Sequence, residues 1–165
     1  MCITGVSGVI GKSFYSKGGG VNYMCLPNDP DFPDNKQLGF QTKALLYGVE
    51  FKSPATSDFF KDVHNEDAPC AVCDVEGRTR SLMIPAKRTC PTGWTQEYEG
   101  LLASQRGVQK GSEFICVAND PHPSNNSNSR TQNGGMMYVV EAKCGSLKCP
   151  PYENGAELTC VVCTK

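Results

Sequence analysis

The chain has 165 residues, with 16 basic and 17 acidic side chains. This balance argues against a polybasic surface for nucleic acid or anionic lipid, and the apolar runs are too short for a transmembrane helix. The 10 Cys, 17 Gly and 11 Pro favour a loop-rich protein that is cross-linked in an oxidising compartment. We therefore expect a secreted, extracellular protein with no nucleic-acid partner and no membrane insertion.

The start of the chain does not look like the start of a secretory precursor. Such a precursor opens with a charged region, an apolar core and a cleavage site of small residues, whereas residues 1–8 are rich in Gly and contain no such core. We therefore expect either that the numbering follows a mature or trimmed form or that the true N-terminus is missing.

The chain contains an internal repeat. Residues 25–30 (CLPNDP) recur as residues 116–121 (CVANDP), and the same 91-residue offset places residues 47–52 on residues 138–143. One residue of slippage then aligns Cys70-Ala71-Val72-Cys73 with Cys160-Val161-Val162-Cys163. Similar blocks in the same order indicate two homologous halves, residues 1–82 and 83–165, that together form one compact unit.

Both halves have the pattern of β-structure. In chain order, strands are expected around residues 21–25 and 45–51, a short helical turn at 58–64, and further strands around 114–116 and 136–140. Asn-Asp-Pro and Asn-Gly sequences supply the turns. The expected fold is mainly β, with a pseudo-two-fold relation between disulfide-linked halves and few short helical turns.

The segment 123–129 is polar and is expected to form an exposed loop. It contains a possible glycosylation sequon, Asn125-Asn126-Ser127. If the protein is secreted, Asn125 is the candidate acceptor.

One cysteine pair follows from the repeat itself. At the 91-residue offset, Cys144 and Cys149 correspond to Ser53 and Asp58. Both cysteines are therefore missing together from the first half, as expected for a disulfide gained or lost as a unit. We predict a Cys144–Cys149 bond.

The two C-x-x-C motifs permit three interpretations. The gap between them is several times the roughly 15–20 residues usual for a zinc site, and no βαβ setting supports a redox pair. Residues i and i+3 of a strand lie about 10 Å apart, beyond the roughly 4.4–6.8 Å that a disulfide spans. Structural disulfides to other parts of each half are favoured, and two connectivities per half remain open.

No familiar catalytic or nucleotide-binding motif is present, and no metal or cofactor is expected. Glu50 and Glu141 occupy matching positions, where they could face one another as a catalytic pair, although bonding within each half is favoured. Two Asn-Asp turns, Asn28-Asp29 and Asn119-Asp120, could bind a cation or sugar hydroxyls, although turns before Pro are the simpler interpretation. The sequence thus gives no support for an enzyme.

Several blocks resemble the C-terminal non-collagenous domain of short-chain, spongin-type invertebrate collagens, which is similar to that of type IV collagen. The similar blocks run in order along nearly the whole chain: residues 18–30, 47–50, 68–73, 83–87, 89–91, 144–147, 149–152 and 158–165. The resemblance implies a tandem of two β-rich halves.

The resemblance also implies a disulfide connectivity. Carried onto this sequence, it pairs Cys90 with Cys163, Cys116 with Cys160, Cys144 with Cys149 and Cys25 with Cys70. It leaves Cys2 with Cys73, although Cys2 does not keep the spacing that Cys90 has in the second half. We therefore expect an element resembling Thr89-Cys90-Pro91 to be missing before the first half.

The implied function is that of an extracellular matrix or assembly module, whose partners are copies of itself or matrix proteins. The chain departs from the family in having no Gly-X-Y tract, so the collagen triple helix itself is absent. A stand-alone carbohydrate-binding protein, with glycans as partners, is the rival expectation.

Overall fold

The computed structural model describes residues 4–40, 44–54, 58–125, 127 and 131–165. These residues form nine β-strands and no helix, which confirms the mainly β prediction. The strands are β1 (Thr4–Lys12), β2 (Met24–Pro27), β3 (Tyr47–Phe51), β4 (Pro69–Asp74), β5 (Ser81–Pro85), β6 (Thr95–Ser104), β7 (Ile115–Ala118), β8 (Gly135–Val139) and β9 (Thr159–Thr164). Accordingly, no helix in the described ranges has the length and apolar character needed to cross a membrane.

The helical turn expected at residues 58–64 is instead a series of tight turns. The amide of Val63 donates to the carbonyl of Phe60 at 3.3 Å, and the amide of Glu66 donates to the carbonyl of Val63 at 3.0 Å. Both bonds span three residues, and no helix follows from them. Phe60 and Val63 are nevertheless buried, because these turns press their apolar side chains into the core.

The strands form one curled sheet in the order β2-β1-β3-β8-β6-β9-β5, with β4 added to β1 and β7 added to β6. In the first half, β1 pairs with β2, β3 and β4, all antiparallel. In the second half, β6 pairs with β7, β8 and β9, also antiparallel. One long strand therefore organises each half.

The pairing registers around β1 and β6 correspond residue by residue. The matching pairs are Gly8–Cys70 and Gly100–Cys160, Ile10–Cys25 and Leu102–Cys116, and Gly11–Gly48 and Ala103–Val139. Strand pairing thus follows the sequence repeat, and the pseudo-two-fold rotation stays a prediction.

β5 is an addition to the second half, because it pairs along its whole length with β9. The proposed boundary between residues 82 and 83 falls inside it.

Parallel pairing of β3 with β8 joins the halves, with Val49 opposite Gly135 and Phe51 opposite Met137. The main core lies around this junction and draws on both halves: Ile10, Val49, Phe51, Phe60, Val63, Ala68, Ala103 and Met137. A second cluster in the second half contains Leu102, Cys116 and Cys160. The main core therefore contains residues of both halves.

Gly8 and Gly100 occupy the same register position because neighbouring backbone comes very close to both. A Cβ atom on Gly8 would lie 1.6 Å from the carbonyl oxygen of Leu26, and one on Gly100 would lie 1.7 Å from that of Val117. No side chain fits at such distances, so glycine at these positions permits the close pairing of the strands.

Four disulfides join described cysteines: Cys25–Cys70, Cys90–Cys163, Cys116–Cys160 and Cys144–Cys149. These are the pairs that the resemblance implies, and each closes within one half. Their Cα–Cα distances of 5.6–5.9 Å lie in the normal range. The remaining expected pair, Cys2–Cys73, involves Cys2, which lies outside the described residues.

Candidate functional site

The first candidate site, called the first slot, consists of Glu50, Lys52 and Asp67 beside the junction of β3 and β8. Glu50 is 2% exposed and forms an ion pair with Lys52, which is also buried. The Lys52 ammonium also donates to Asn65 Oδ1 at 2.6 Å. Both charges are therefore compensated, as buried charges must be.

Ser124, Ser127 and Gln132 of the second half, which we call the covering loop, contact the first slot. The amide of Gln132 donates to Glu50 Oε1 at 2.6 Å, and the amide of Ser124 donates to the carbonyl of Asp67 at 2.9 Å. In return, the amide of Asp67 donates to Ser127 Oγ at 2.7 Å. Burial, followed by the charges of Glu50 and Glu66, raises the pKa of Asp67. The first slot is thus closed by polar contacts across the two halves.

The repeat places Glu141, Lys143 and Glu157 at the positions of Glu50, Lys52 and Asp67, and we call these residues the second slot. The backbone frame is the same, because Glu50 bridges to Asp67 and Glu141 bridges to Glu157 in antiparallel fashion. The three side chains of the second slot, however, are exposed. A cavity of about 430 Å³ lies beside Glu141 and Glu157.

The walls of this cavity combine aromatic and polar groups. Phe114, Tyr138 and Gln105 line it, and the Arg106 guanidinium lies 5.4 Å from the centroid of the Tyr138 ring. Phe114 is 56% exposed. The second slot therefore offers a partly apolar surface beside two carboxylates.

The corresponding surface of the first half is packed. Phe14 and Tyr47, the counterparts of Arg106 and Tyr138, have ring centroids 5.2 Å apart. Lys12, the counterpart of Ser104, is 1% exposed, with its ammonium 5.7 Å from the centroid of the Tyr23 ring. Burial lowers the pKa of Lys12 and raises that of Tyr23 to about 12.

The loop after β2 differs from the loop that covers the first slot. All of residues 31–40 are exposed, including Phe32 at 65%, Leu38 at 88% and Phe40 at 91%. At the repeat offset, residues 33–40 correspond in sequence to residues 124–131, which include Ser124 and Ser127 of the covering loop. We call residues 31–40 the apolar loop. Three large apolar side chains exposed on one short segment are typical of an interaction surface.

The two Asn-Asp turns lie beside separate cavities. Asn119 and Asp120 line one of about 400 Å³, together with residues 58–63 of the first half. Asn28 lines another of about 500 Å³ that also touches Asn125, while Asp29 is exposed beside it. Each of the two cavities is therefore lined by an Asn-Asp turn of one half and by residues of the other half. Within the described ranges, no three His, Cys, Asp or Glu side chains are grouped to hold a metal ion.

Glu50 and Glu141 differ more than their matching positions suggest, because one is buried in an ion pair and the other is exposed. The bonding of Glu50 within its own half, to Lys52, agrees with the favoured expectation, but its contact with Gln132 crosses the halves. Lys52 is the site residue that the sequence reasoning missed. The Glu-x-Lys spacing common to residues 50–52 and 141–143 is the signal for it.

The sequon residue Asn125 is exposed, as an acceptor of glycans must be. No protein-family model matches the chain, and no solved structure matches it.

Proposed function

We propose that this chain is a secreted, non-enzymatic structural module that associates with copies of itself, in the manner implied by its resemblance to collagen C-terminal domains. Four disulfides support an oxidising, extracellular compartment. The observation that carries self-association is the contrast between the covered first slot and the open second slot.

The apolar loop is the element proposed to cover the second slot. The covering loop, its counterpart in the repeat, packs on the first slot within the same chain. The second slot has the same backbone frame and an open cavity. Leu38 and Phe40 of a neighbouring copy would pack against Phe114 and the Tyr138 ring there, and apolar burial supplies the driving force.

This contact joins two different surfaces, so it is heterologous. Repetition of a heterologous contact leads to a closed ring when the rotation between copies closes, and to an open filament otherwise. Burial of about 1,000 Å² or more in total is expected for a stable contact of this kind.

Sedimentation equilibrium tests the proposal. We expect the oxidised wild-type protein to form oligomers at micromolar concentration and the double variant Leu38→Asp, Phe40→Asp to be monomeric. Both side chains are almost fully exposed, so the monomeric variant should keep its circular dichroism spectrum. Val72→Asp, on the edge of β4 and 57% exposed, is the matched control and should still associate.

Two results contradict the proposal. One is a wild-type protein that remains monomeric at about 100 µM, since a contact weaker than this is too weak for stable assembly. The other is a double variant that associates as well as the wild type. Either would leave the fold and the disulfides unaffected and would remove the proposed role of the apolar loop.

A carbohydrate-binding function is the second candidate, favoured by the cavity beside Asn119 and Asp120. Carboxylate and amide groups at the rim of a cavity suit sugar hydroxyls. A glycan array tests this candidate: binding that is lost in Asp120→Ala and retained in Asp29→Ala would assign it to this cavity. The absence of any bound glycan would remove it.

A further inference from the structure

The four disulfides between described cysteines differ in how far their cysteines are exposed. The buried and half-buried members of these pairs are Cys25, Cys70, Cys90, Cys116, Cys144, Cys160 and Cys163. Among the cysteines of these four bonds, Cys149 alone is exposed, and its partner is Cys144. A thiolate must reach a sulfur of a disulfide to react with it, so exposed disulfides are the labile ones. Exposure therefore distinguishes the Cys144–Cys149 bond from the other three.

The Cys144–Cys149 bond also closes the shortest loop of the four. Its sequence separation is 5, whereas the other three bonds have separations of 44, 45 and 73. In the chain-entropy model, a cross-link stabilises the fold by restricting the unfolded chain, and a short loop restricts that chain least. Opening this bond therefore costs the fold less stability than opening any of the other three.

The segment that carries this bond is also held by its backbone. The amide of Ala142 donates to the carbonyl of Ala156, and the amide of Gly155 donates to the carbonyl of Ala142, both at 2.8 Å. The amide of Cys144 donates to Asn154 Oδ1 at 3.1 Å. These hydrogen bonds involve neither sulfur, so they persist when the disulfide opens. Cys144 then stays in place, ready to re-form the bond.

The charges near the two cysteines differ in sign. Lys148 is exposed and directly precedes Cys149, and no other charged residue lies between Cys144 and Glu153 in the sequence. Glu153, in contrast, directly precedes Asn154, which contacts the backbone of Cys144. Because opposite charges attract and like charges repel, a negatively charged thiol is drawn to the Cys149 side of the bond.

We propose that Cys149 is a site of thiol–disulfide exchange with anionic thiols. The thiolate of the incoming compound attacks Cys149 Sγ, the bond to Cys144 Sγ breaks, and Cys144 leaves as a thiolate. The product is a mixed disulfide at Cys149. One disulfide is consumed and one is formed, so the exchange needs no oxidant or reductant besides the thiol. Attack by Cys144 on the mixed disulfide expels the thiol and restores the original bond.

The probe is glutathione, a peptide thiol with a net negative charge, and the matched comparison is cysteamine, a cationic thiol. Each is added briefly to the full, oxidised chain. Acid then stops the exchange by protonating thiolates, free thiols are labelled with a maleimide, and the cysteines are mapped by mass spectrometry. We expect glutathione on Cys149 and maleimide on Cys144 of the same molecules. This exchange should be roughly tenfold or more faster than opening of the other three bonds.

Charge variants test the selectivity for anionic thiols. Lys148→Glu reverses the charge beside Cys149 and leaves both sulfurs in place. It should lower the ratio of the glutathione rate to the cysteamine rate several-fold, and added salt should reduce this change. Because a ratio is measured, any effect of the variant on the reactivity of the disulfide itself cancels. Lys110→Glu, at an exposed lysine on the turn after β6, is the matched control and should keep the wild-type ratio.

Two further variants complete the test. The double variant Cys144→Ser, Cys149→Ser should keep the circular dichroism spectrum of the wild type, because the lost bond closes only a short loop. The Leu38→Asp, Phe40→Asp variant should exchange as the wild type does. Exchange in this last variant does not depend on self-association, so failure of either proposal is recognised separately.

Three results would overturn the proposal. The first is a wild type in which another of the four bonds opens as fast as Cys144–Cys149. The second is an unchanged ratio of the two rates in Lys148→Glu, which would show no selection of anionic thiols. The third is loss of the folded spectrum in the Cys144→Ser, Cys149→Ser variant, which would mean that this bond cannot open without unfolding.

Discussion

The first and second slots have the same backbone frame and opposite surroundings. Glu50 is buried in an ion pair beneath a loop from the other half, whereas Glu141 is exposed beside an open cavity. The strand registers that position the two carboxylates correspond residue by residue. Glu50, however, lies within β3 opposite Met136 of β8, whereas Glu141 lies beyond the end of β8. The strands therefore account for part of the difference between the two environments.

The loops account for the rest of the difference. The covering loop presents backbone amides and hydroxyls, and these meet the polar groups of the first slot. The apolar loop presents Phe32, Leu38 and Phe40 to solvent. The two halves therefore carry matching slots, and only the first slot is covered by described residues of the same chain.

The largest expected effect concerns the disulfides of the two halves. Cys25–Cys70 and Cys116–Cys160 have sequence separations of 45 and 44, so chain entropy assigns each about 4 kcal/mol. Cys116 and Cys160 are also buried in the second cluster. Replacing this pair by Ala should lower the free energy of unfolding by about 1–2 kcal/mol more than replacing Cys25 and Cys70. Guanidinium titrations measure both losses, and equal losses would show that burial is irrelevant here.

The carboxylates of the two slots give the next comparison. Glu50→Gln leaves the buried Lys52 ammonium without its counter-charge and should destabilise the protein by about 3 kcal/mol. Glu141→Gln, at an exposed site, should change stability by less than about 0.5 kcal/mol. Thermal unfolding followed by circular dichroism distinguishes these values. Similar effects of the two changes would contradict the structural difference between the slots.

Glycine substitutions test whether the matching positions in β1 and β6 are equally constrained. Gly8→Ala and Gly100→Ala each force a methyl group against a carbonyl oxygen and should each cost about 3 kcal/mol. Gly48→Ala, where nothing lies within 4 Å of the added carbon, should cost less than about 1 kcal/mol. Urea titrations of the three variants provide the measurement. A tolerated Gly8 replacement beside a damaging Gly100 replacement would mean that the two registers are not equally constrained.

The smallest expected effect is seen at alkaline pH. Because the pKa of Tyr23 is raised to about 12 in the folded state, the unfolded chain loses this proton first, near pH 10. Stability should therefore fall between pH 10 and about 12, by up to about 2 kcal/mol. Tyr23→Phe should show a shallower fall than the wild type in unfolding midpoints measured across this range. An identical slope in the two proteins would rule out this contribution.

Much of the sheet is predictable from the sequence. The apolar run at 45–51 contains β3, and the C-x-x-C motifs lie within β4 and β9. β1 is hidden because Gly5, Gly8 and Gly11 dilute the alternation of its apolar residues. Close approach of neighbouring backbone requires glycine at Gly5 and Gly8. Comparison with residues 95–104 would have revealed it, since these residues align with β1 in the repeat.

The candidate sites are harder to predict from the sequence than the strands are. The repeated Glu50 and Glu141 are visible in the sequence, and the adjacent Lys52 could have been added from the same block. The contacts of Gln132 and Ser127 could not, because they depend on the path of a loop that has no periodicity. The openness of the second slot likewise depends on where the loop after β2 runs, and local sequence does not encode that path.

The parallel pairing of β3 with β8, which we call the seam, has a mechanical consequence. All four disulfides between described cysteines close within one half, whereas this parallel pairing and the covering loop connect the halves without a covalent cross-link between described residues. Tension that pulls the halves apart would be resisted at the seam by hydrogen bonds and packing, while the bonds inside each half stay intact. Under such a load the two halves would separate before either half unfolds, because each half is held by its own disulfides.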